Sequence, residues 1–198
     1  MSHNTWIHRG VRILVRPLAK TPVTPNQITT LRLLTGIGAA AAFAVGETFW
    51  QNVGGVIFVL SLVLDRADGE LARLGGKSSL WGHRFDLISD GLANGLVFVG
   101  IGVGLRESVL AYWALPMGVL AGGAVSAVLW LVVRVESSQG LRALELPPAG
   151  GFDADDAMLA VPIAVWLGGA VPLLIAAAIG APVFATLFFW WYRRKASR

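Results

Sequence analysis

The sequence predicts an all-α integral membrane protein with six transmembrane helices, preceded by an N-terminal amphipathic interfacial helix. Of its 198 residues, 55% are hydrophobic and only 14% are charged, whereas soluble domains average about 25% charged residues. The basic residues occur in short clusters between apolar runs, a pattern that indicates anionic lipid headgroups and no nucleic acid. The absence of cysteine excludes disulfides and thiolate chemistry.

Residues 1–22 form the predicted interfacial segment. Trp6, Val11, Leu14 and Val15 can share one face of a helix, while the arginines between them stay near the headgroups. No uninterrupted apolar core of a signal peptide is found in this stretch. A solvated N-terminal arm is the alternative interpretation.

Six apolar stretches follow, each close to the roughly 20 residues that cross a bilayer. The sequence Thr24-Pro25-Asn26 predicts the cap of the first, and Pro116 predicts a kink in the fourth. The fifth and sixth are separated by a break either at Gly168–Pro172 or at Gly180–Pro182. The predicted spans cover residues 27–49, 53–74, 80–105 and 109–135, a fifth from about residue 156, and a sixth that ends at the aromatic and basic residues 190–195.

The distribution of basic residues predicts the orientation. Six spans place both termini on one side, and with that side cytoplasmic only Arg106 of the sixteen Lys and Arg residues falls outside. The positive-inside rule therefore predicts an inner (cytoplasmic) membrane protein with both termini, and the acidic cluster described next, on the cytoplasmic side.

Four aspartates lie at facing ends of the second and third predicted spans. Asp65 and Asp68 are three residues apart and Asp86 and Asp90 are four apart, so each pair shares a helix face. The short turn at Gly75–Gly76 predicts that the two helices pack antiparallel as neighbours. A carboxylate inside a membrane costs at least ~2.5 kcal/mol, so the cluster predicts bound hard cations such as Mg²⁺, with bridging carboxylates for two ions.

Small residues accompany the aspartates. Gly69 and Ala72 share a helix with the first pair, and Gly82 precedes the second pair. Glycines at these points allow a backbone or a ligand to approach closely. Arg73, one turn beyond Gly69, is placed to meet a diphosphate.

The spacing D-x2-D-G-x2-A-R followed by G-x3-D-x3-D resembles the signature of the CDP-alcohol phosphatidyltransferase family. Chain length and span number are also similar to that family. The eight positions that match are Asp65, Asp68, Gly69, Ala72, Arg73, Gly82, Asp86 and Asp90.

The resemblance implies a single membrane domain over residues 23–198 and a role for each matching position. Asp65, Asp68, Asp86 and Asp90 would hold Mg²⁺ or Mn²⁺, with two ions per site, and Asp90 would also be the general base. A homodimer is implied as well. The implied CDP contacts are Gly69, Ala72, Arg73 and Gly82, with Asn26, Thr29, Lys77 and Ser79 as further candidates.

The implied reaction is a step of phospholipid biosynthesis, in which a phosphatidyl group passes from CDP-diacylglycerol to a polar alcohol and CMP is released. The alternative is transfer from a CDP-linked small alcohol to a lipid hydroxyl. A phosphorylated acceptor would need further cations, for which Arg84, Arg134 and Arg142 are candidates unless they only mark the cytoplasmic edge. A cation or proton transporter is a remote alternative, because transporters tend to place charges near the midplane and to repeat their halves.

Overall fold

The structure, a computed structural model, describes residues 11, 15–139 and 154–196, with the side chains of 132–139, 154–156 and 195–196 excepted. These residues form α-helices and short 3-10 turns without a strand, so the all-α prediction is confirmed. The helices are α1 (Pro25–Val45), α2 (Thr48–Leu74), α3 (Leu80–Gly104), α4 (Ala114–Gln139), α5 (Ala160–Trp166) and α6 (Ala170–Ala196).

Five of these helices, α1 to α4 and α6, are long and apolar enough to cross a membrane. The chain is therefore an integral membrane protein, as predicted. The predicted fifth span corresponds to α5 together with the end of the 3-10 turn before it, a shorter apolar helical stretch over Ala157–Trp166. Because residues 140–153 lie outside the described residues, the count of six spans stays a prediction.

The ends of the helices show how the chain runs through the bundle. Ser126 of α4 donates to the carbonyl of Gly91 at 2.7 Å, and Gly118 lies against Gly102, so α4 runs antiparallel to α3 and ends on the side of the aspartates. The indole of Trp166 donates to the carbonyl of Asn52 at 3.3 Å, near the start of α2 at the opposite end. Gln139 and Trp166 therefore lie at opposite ends of the bundle.

The break before the last helix lies at the first of the two predicted positions. Gly168 has φ +74°, a conformation that favours glycine, and Gly169 donates to the carbonyl of Ala164 at 2.7 Å. Helix α6 continues through Gly180 and Pro182. Residues 167–169 therefore separate the last two apolar segments.

The predicted boundary between the first two spans is wrong by several residues. Helix α1 ends at Val45, Gly46 adopts φ +88°, and α2 begins at Thr48. The predicted spans leave residues 50–52 between them, yet residues 48–52 begin α2, and Gln51 donates to the carbonyl of Gly46 at 3.1 Å. Polar side chains at a membrane surface do not by themselves end a helix.

The predicted kink at Pro116 is also wrong. Helix α4 begins at Ala114, so Pro116 lies in its first turn, where the N–H that proline lacks has no intrahelical partner. The predicted cap of the first span is confirmed. Thr24 and Gln27 form a capping box around Pro25, in which the Thr24 N–H donates to Gln27 at 2.9 Å.

Helix α1 lies between α2 and α3 and packs against both, while α4 packs against α3 and α6. A Cβ on Gly36 of α1 would meet Ala93 of α3 and, at 3.3 Å, the hydroxyl of Ser61 of α2. Along their described lengths α2 and α3 make little backbone contact, so the prediction that they pack as direct neighbours is wrong. The small residues of α1 let it fit between α2 and α3. The acidic ends of α2 and α3 face each other across a gap.

Residues 11 and 15–22 of the N-terminal segment are described, and two of their side chains, Val11 and Val15, are buried. Val11 and Val15 pack with Ile28 near the start of α1 and with Ala67 and Leu71 near the end of α2. The rest of the predicted interfacial helix over residues 1–22 lies largely outside the described residues and stays a prediction.

Two adjacent glycines of α4 provide a matched test of the packing against α3. We expect Gly122→Ala to lower the free energy of unfolding by about 1–3 kcal/mol, because its Cβ would meet the Gly95 carbonyl group, with the carbon at 3.0 Å. Gly123→Ala should be neutral, because a Cβ there has no heavy atom within 4 Å. Thermal unfolding in detergent compares the two. Equal midpoints would contradict this packing.

Candidate active site

Three carboxylates from two helices converge at the gap between α2 and α3. Asp65 of α2 and Asp86 and Asp90 of α3 each offer one oxygen, and the three oxygens lie within 4.8 Å of one another. Oxygens on opposite sides of one divalent cation are about 4–5 Å apart, twice the usual metal–oxygen distance. The arrangement therefore fits a hard cation, as the sequence predicted.

Asp68 is placed differently from the other three aspartates. Its side chain is 3% exposed and accepts a hydrogen bond from the Thr29 hydroxyl at 2.7 Å. Among the described acidic residues, Asp68 is not part of the converging group of three. Thr29, which was predicted to contact the nucleotide, thus has its hydroxyl on an aspartate. The role of Asp68 as a metal ligand stays a prediction.

Arg32 of α1 is a member of the site that sequence reasoning missed. Its side chain is 1% exposed, with Nε 3.4 Å from Asp65 Oδ1 and Nη2 in contact with Asp90 Oδ1. The available indication was a charged residue within an apolar span, three positions after Thr29 and hence on the same helix face.

The predicted diphosphate contacts lie together at the end of α2. The guanidinium of Arg73 covers Gly69, where an added Cβ would lie 3.6–3.9 Å from its atoms. Arg73 Nε donates to Glu70 Oε2 at 3.3 Å, and the Glu70 side chain is 1% exposed. Glu70 is a second residue that the sequence analysis missed. The half-buried Ala72 lies on the same helical turn.

Asn26, Ser79 and Gly82 come together where α1 meets the start of α3. A Cβ on Gly82 would lie 3.0 Å from Ser79 Oγ and 3.1 Å from Asn26 Oδ1. The Ser79 hydroxyl caps α3 by accepting the Gly82 N–H at 2.9 Å. Nucleotide binding by these three residues stays a prediction.

The remaining predicted residues are more dispersed. Lys77 donates to the carbonyls of Thr21 and Val23 at 3.1 and 3.0 Å, which fastens the turn between α2 and α3 to the segment before α1. Arg84 is exposed on α3. The Arg134 side chain and Arg142 lie outside the described residues.

Replacing Thr29 tests its hydrogen bond to Asp68. We expect Thr29→Val to lower the free energy of unfolding by about 1–3 kcal/mol, because a buried carboxylate loses its donor. Thr30→Val is the matched control, since that exposed hydroxyl donates only to the Asn26 carbonyl in its own helix. Chemical unfolding in detergent measures both. A Thr29→Val protein as stable as the Thr30→Val protein would contradict this contact.

Fold and site together define a helical membrane protein with an acidic cluster that could bind a divalent cation near the ends of two transmembrane helices, beside a glycine and an arginine suited to phosphate. A sequence model of the CDP-alcohol phosphatidyltransferases matches residues 22–191. The chain therefore belongs to the CDP-alcohol phosphatidyltransferase family, and the resemblance noted from the aspartate motif is confirmed.

Curated relatives share part of the chain. The chain is 34% identical to the archaetidylinositol phosphate synthase of Pyrococcus horikoshii over 45% of its own length and 46% of the relative's. It is 27% identical to the phosphatidylinositol phosphate synthase of Mycobacteroides abscessus over 80% of its length and 66% of the relative's. The match thus spans about half the length of the archaeal relative.

A solved structure has the same fold. The crystal structure of phosphatidylinositol phosphate synthase (PgsA1) from Mycobacterium tuberculosis with CDP-DAG bound superimposes with a TM-score of 0.66. The two chains are 20% identical, and the match covers 92% of this chain and 94% of that one. At this identity the similarity establishes the fold.

Proposed function

We propose that the protein transfers a phosphatidyl group from CDP-diacylglycerol to a polar alcohol and releases CMP, a step of phospholipid biosynthesis. The observation that carries the proposal is the convergence of Asp65, Asp86 and Asp90 within 4.8 Å, beside Gly69 and Arg73. Membership of the family supports the same reaction and speaks against a transporter. Transfer from a CDP-linked small alcohol to a lipid hydroxyl is the second candidate, because the same motif serves it.

The residues divide the work by position. Asp65, Asp86 and Asp90, with Asp68, would hold Mg²⁺ or Mn²⁺, in a two-ion site, and these ions would neutralise the diphosphate as its anhydride bond breaks. Arg73, whose guanidinium covers Gly69, would bind the diphosphate oxygens through its planar fork.

Asp90 is the proposed general base. Its carboxylate takes the proton of the acceptor hydroxyl, whose oxygen attacks the phosphorus that carries diacylglycerol. The bond from this phosphorus to the bridging oxygen breaks, and CMP leaves with that oxygen. The phospholipid product stays in the bilayer.

The acceptor that we propose first is an inositol phosphate. The names of the relatives, archaetidylinositol phosphate synthase and phosphatidylinositol phosphate synthase, describe products with this group. The exposed Arg84 at the start of α3 could meet its phosphate. Arg134 and Arg142 are further candidates from the sequence.

We also propose that the site opens to the cytoplasm in the inner membrane and that the protein is a homodimer. The positions of the basic residues support the orientation. The dimer rests on the family resemblance.

CMP release tests the proposal. Purified protein in lipid vesicles with CDP-diacylglycerol and Mg²⁺ should release CMP when an inositol phosphate is added, and EDTA should stop the release. Parallel reactions with unphosphorylated alcohols, and with a CDP-linked alcohol plus diacylglycerol, distinguish the acceptor classes and the second candidate. The absence of CMP in every reaction, together with cation flux across the vesicles, would contradict the proposal.

A further inference from the structure

Arg32 connects all three helices around the aspartates. It belongs to α1, and its guanidinium reaches Asp65 of α2 and Asp90 of α3. Because α2 and α3 make little backbone contact along their described lengths, this one side chain crosses the gap between them.

The backbone of Arg32 is held as firmly as its side chain. Ser61 of α2 donates from its buried hydroxyl to the Arg32 carbonyl at 2.9 Å. One turn further along α1, Gly36 lies against Ala93 of α3. A guanidinium on this turn of α1 is therefore fixed relative to both acidic helices.

The charges explain why a cation is needed at this point. Asp65, Asp86 and Asp90 lie within 4.8 Å of one another and repel in a poorly solvated place, where charges interact more strongly than in water. Arg32 is 1% exposed, and an arginine buried within a membrane span needs ionic partners. Two of the three carboxylates that fit a divalent cation are also the partners of Arg32.

We propose that Arg32 is a positioning residue of this site, a tethered cation that holds the Asp65 and Asp90 carboxylates together and shares them with the divalent metal. This inference rests on the proposed function, because it assumes that the aspartates bind metal. It adds that part of their countercharge comes from α1. The consequence is that removing Arg32 makes the fold depend more strongly on bound metal.

Thermal unfolding with and without metal tests this inference. Arg32→Gln, purified in Mn²⁺ and then treated with EDTA, is expected to lose at least about 4 °C more of its unfolding midpoint than the parent loses on the same treatment. A role in packing alone would lower the midpoint of Arg32→Gln equally in Mn²⁺ and in EDTA, and that result would overturn the proposal. Failure of Arg32→Gln to fold even in Mn²⁺ would overturn it as well, because metal should replace the missing charge.

Two further variants separate charge from other effects. Arg32→Lys keeps the charge and should recover at least half of the midpoint that Arg32→Gln loses in EDTA; no recovery would contradict the tethered cation. Arg106→Gln removes an exposed arginine at the opposite end of the bundle, which donates to the Val103 carbonyl, and should respond to EDTA like the parent. If Mn²⁺ fails to stabilise the parent itself, the metal site and the proposed function are wrong, which is a different result from a failure of Arg32 alone.

Discussion

Asp90→Asn is expected to abolish CMP release while CDP binding at saturating Mn²⁺ is largely retained. Asparagine keeps the shape of the side chain and one oxygen for the metal, but it cannot take a proton from the acceptor hydroxyl. Loss of a general base typically costs about 100- to 10,000-fold in rate. Initial rates of CMP release and calorimetric titration with CDP measure the two effects separately.

A matched control exists at the other end of the bundle. Glu107→Gln makes the same chemical change at an exposed carboxylate, which lies 3.8 Å from Nε of Arg106. This variant should keep full activity. Retention of more than a tenth of the parent rate by Asp90→Asn would remove Asp90 from the role of base. Loss of CDP binding together with the rate would instead assign it to metal binding alone.

Asp86→Asn is expected to weaken metal binding by more than about 100-fold, and metal-dependent CDP binding with it. Asp86 is one of the three carboxylates whose oxygens converge within 4.8 Å. Removal of its charge should lower the metal affinity by more than the roughly 10- to 100-fold that is typical for the loss of a residue that only supports a ligand. Titration with Mn²⁺, followed by electron paramagnetic resonance of the free ion, gives the affinity.

Asp68→Asn completes this comparison. The family motif makes Asp68 a metal ligand. In the structure, however, Asp68 accepts a hydrogen bond from the Thr29 hydroxyl and is not one of the three converging carboxylates. We expect Asp68→Asn to lose Mn²⁺ affinity as well. Unchanged affinity in Asp68→Asn, combined with a loss in Asp86→Asn, would make Asp68 a supporting residue that fixes α1 against α2.

The parts of the site that follow local spacing could be predicted from sequence. The motif places Asp65, Asp86 and Asp90 near helix ends and on defined helix faces. The short turn at Gly75–Gly76 then brings the acidic ends of the two helices to the same side of the membrane. The cap at Thr24 was predictable for the same reason, since its partner Gln27 is three residues away.

The parts that depend on which helices touch could not be predicted. A short turn places α2 and α3 near each other in the chain, but it does not show that α1 fits between them through Gly36. The positions of Arg32 and of the Thr29 hydroxyl both follow from that insertion. A short connection limits how far apart two helices can lie, whereas the volume of the side chains decides which helices pack in contact.

The positions of the helix ends were also difficult to predict from the sequence. Gly168 and Gly180 offered equal grounds for a break, yet α6 continues through Gly180 and Pro182, as transmembrane helices can when neighbours satisfy the freed carbonyl. Around Gly46 the polar residues that follow belong to α2, because a capping glycine ends a helix more sharply than polarity does.

The central claim is that α2 and α3 hold a divalent cation between their aspartates, and anomalous X-ray scattering from crystals grown with Mn²⁺ and CDP tests it most directly. We expect a strong manganese peak bounded by Asp65, Asp86 and Asp90, with the CDP diphosphate beside it and close to Arg73. Bound CDP without a manganese peak among these three carboxylates, or a peak confined to another part of the protein, would contradict it.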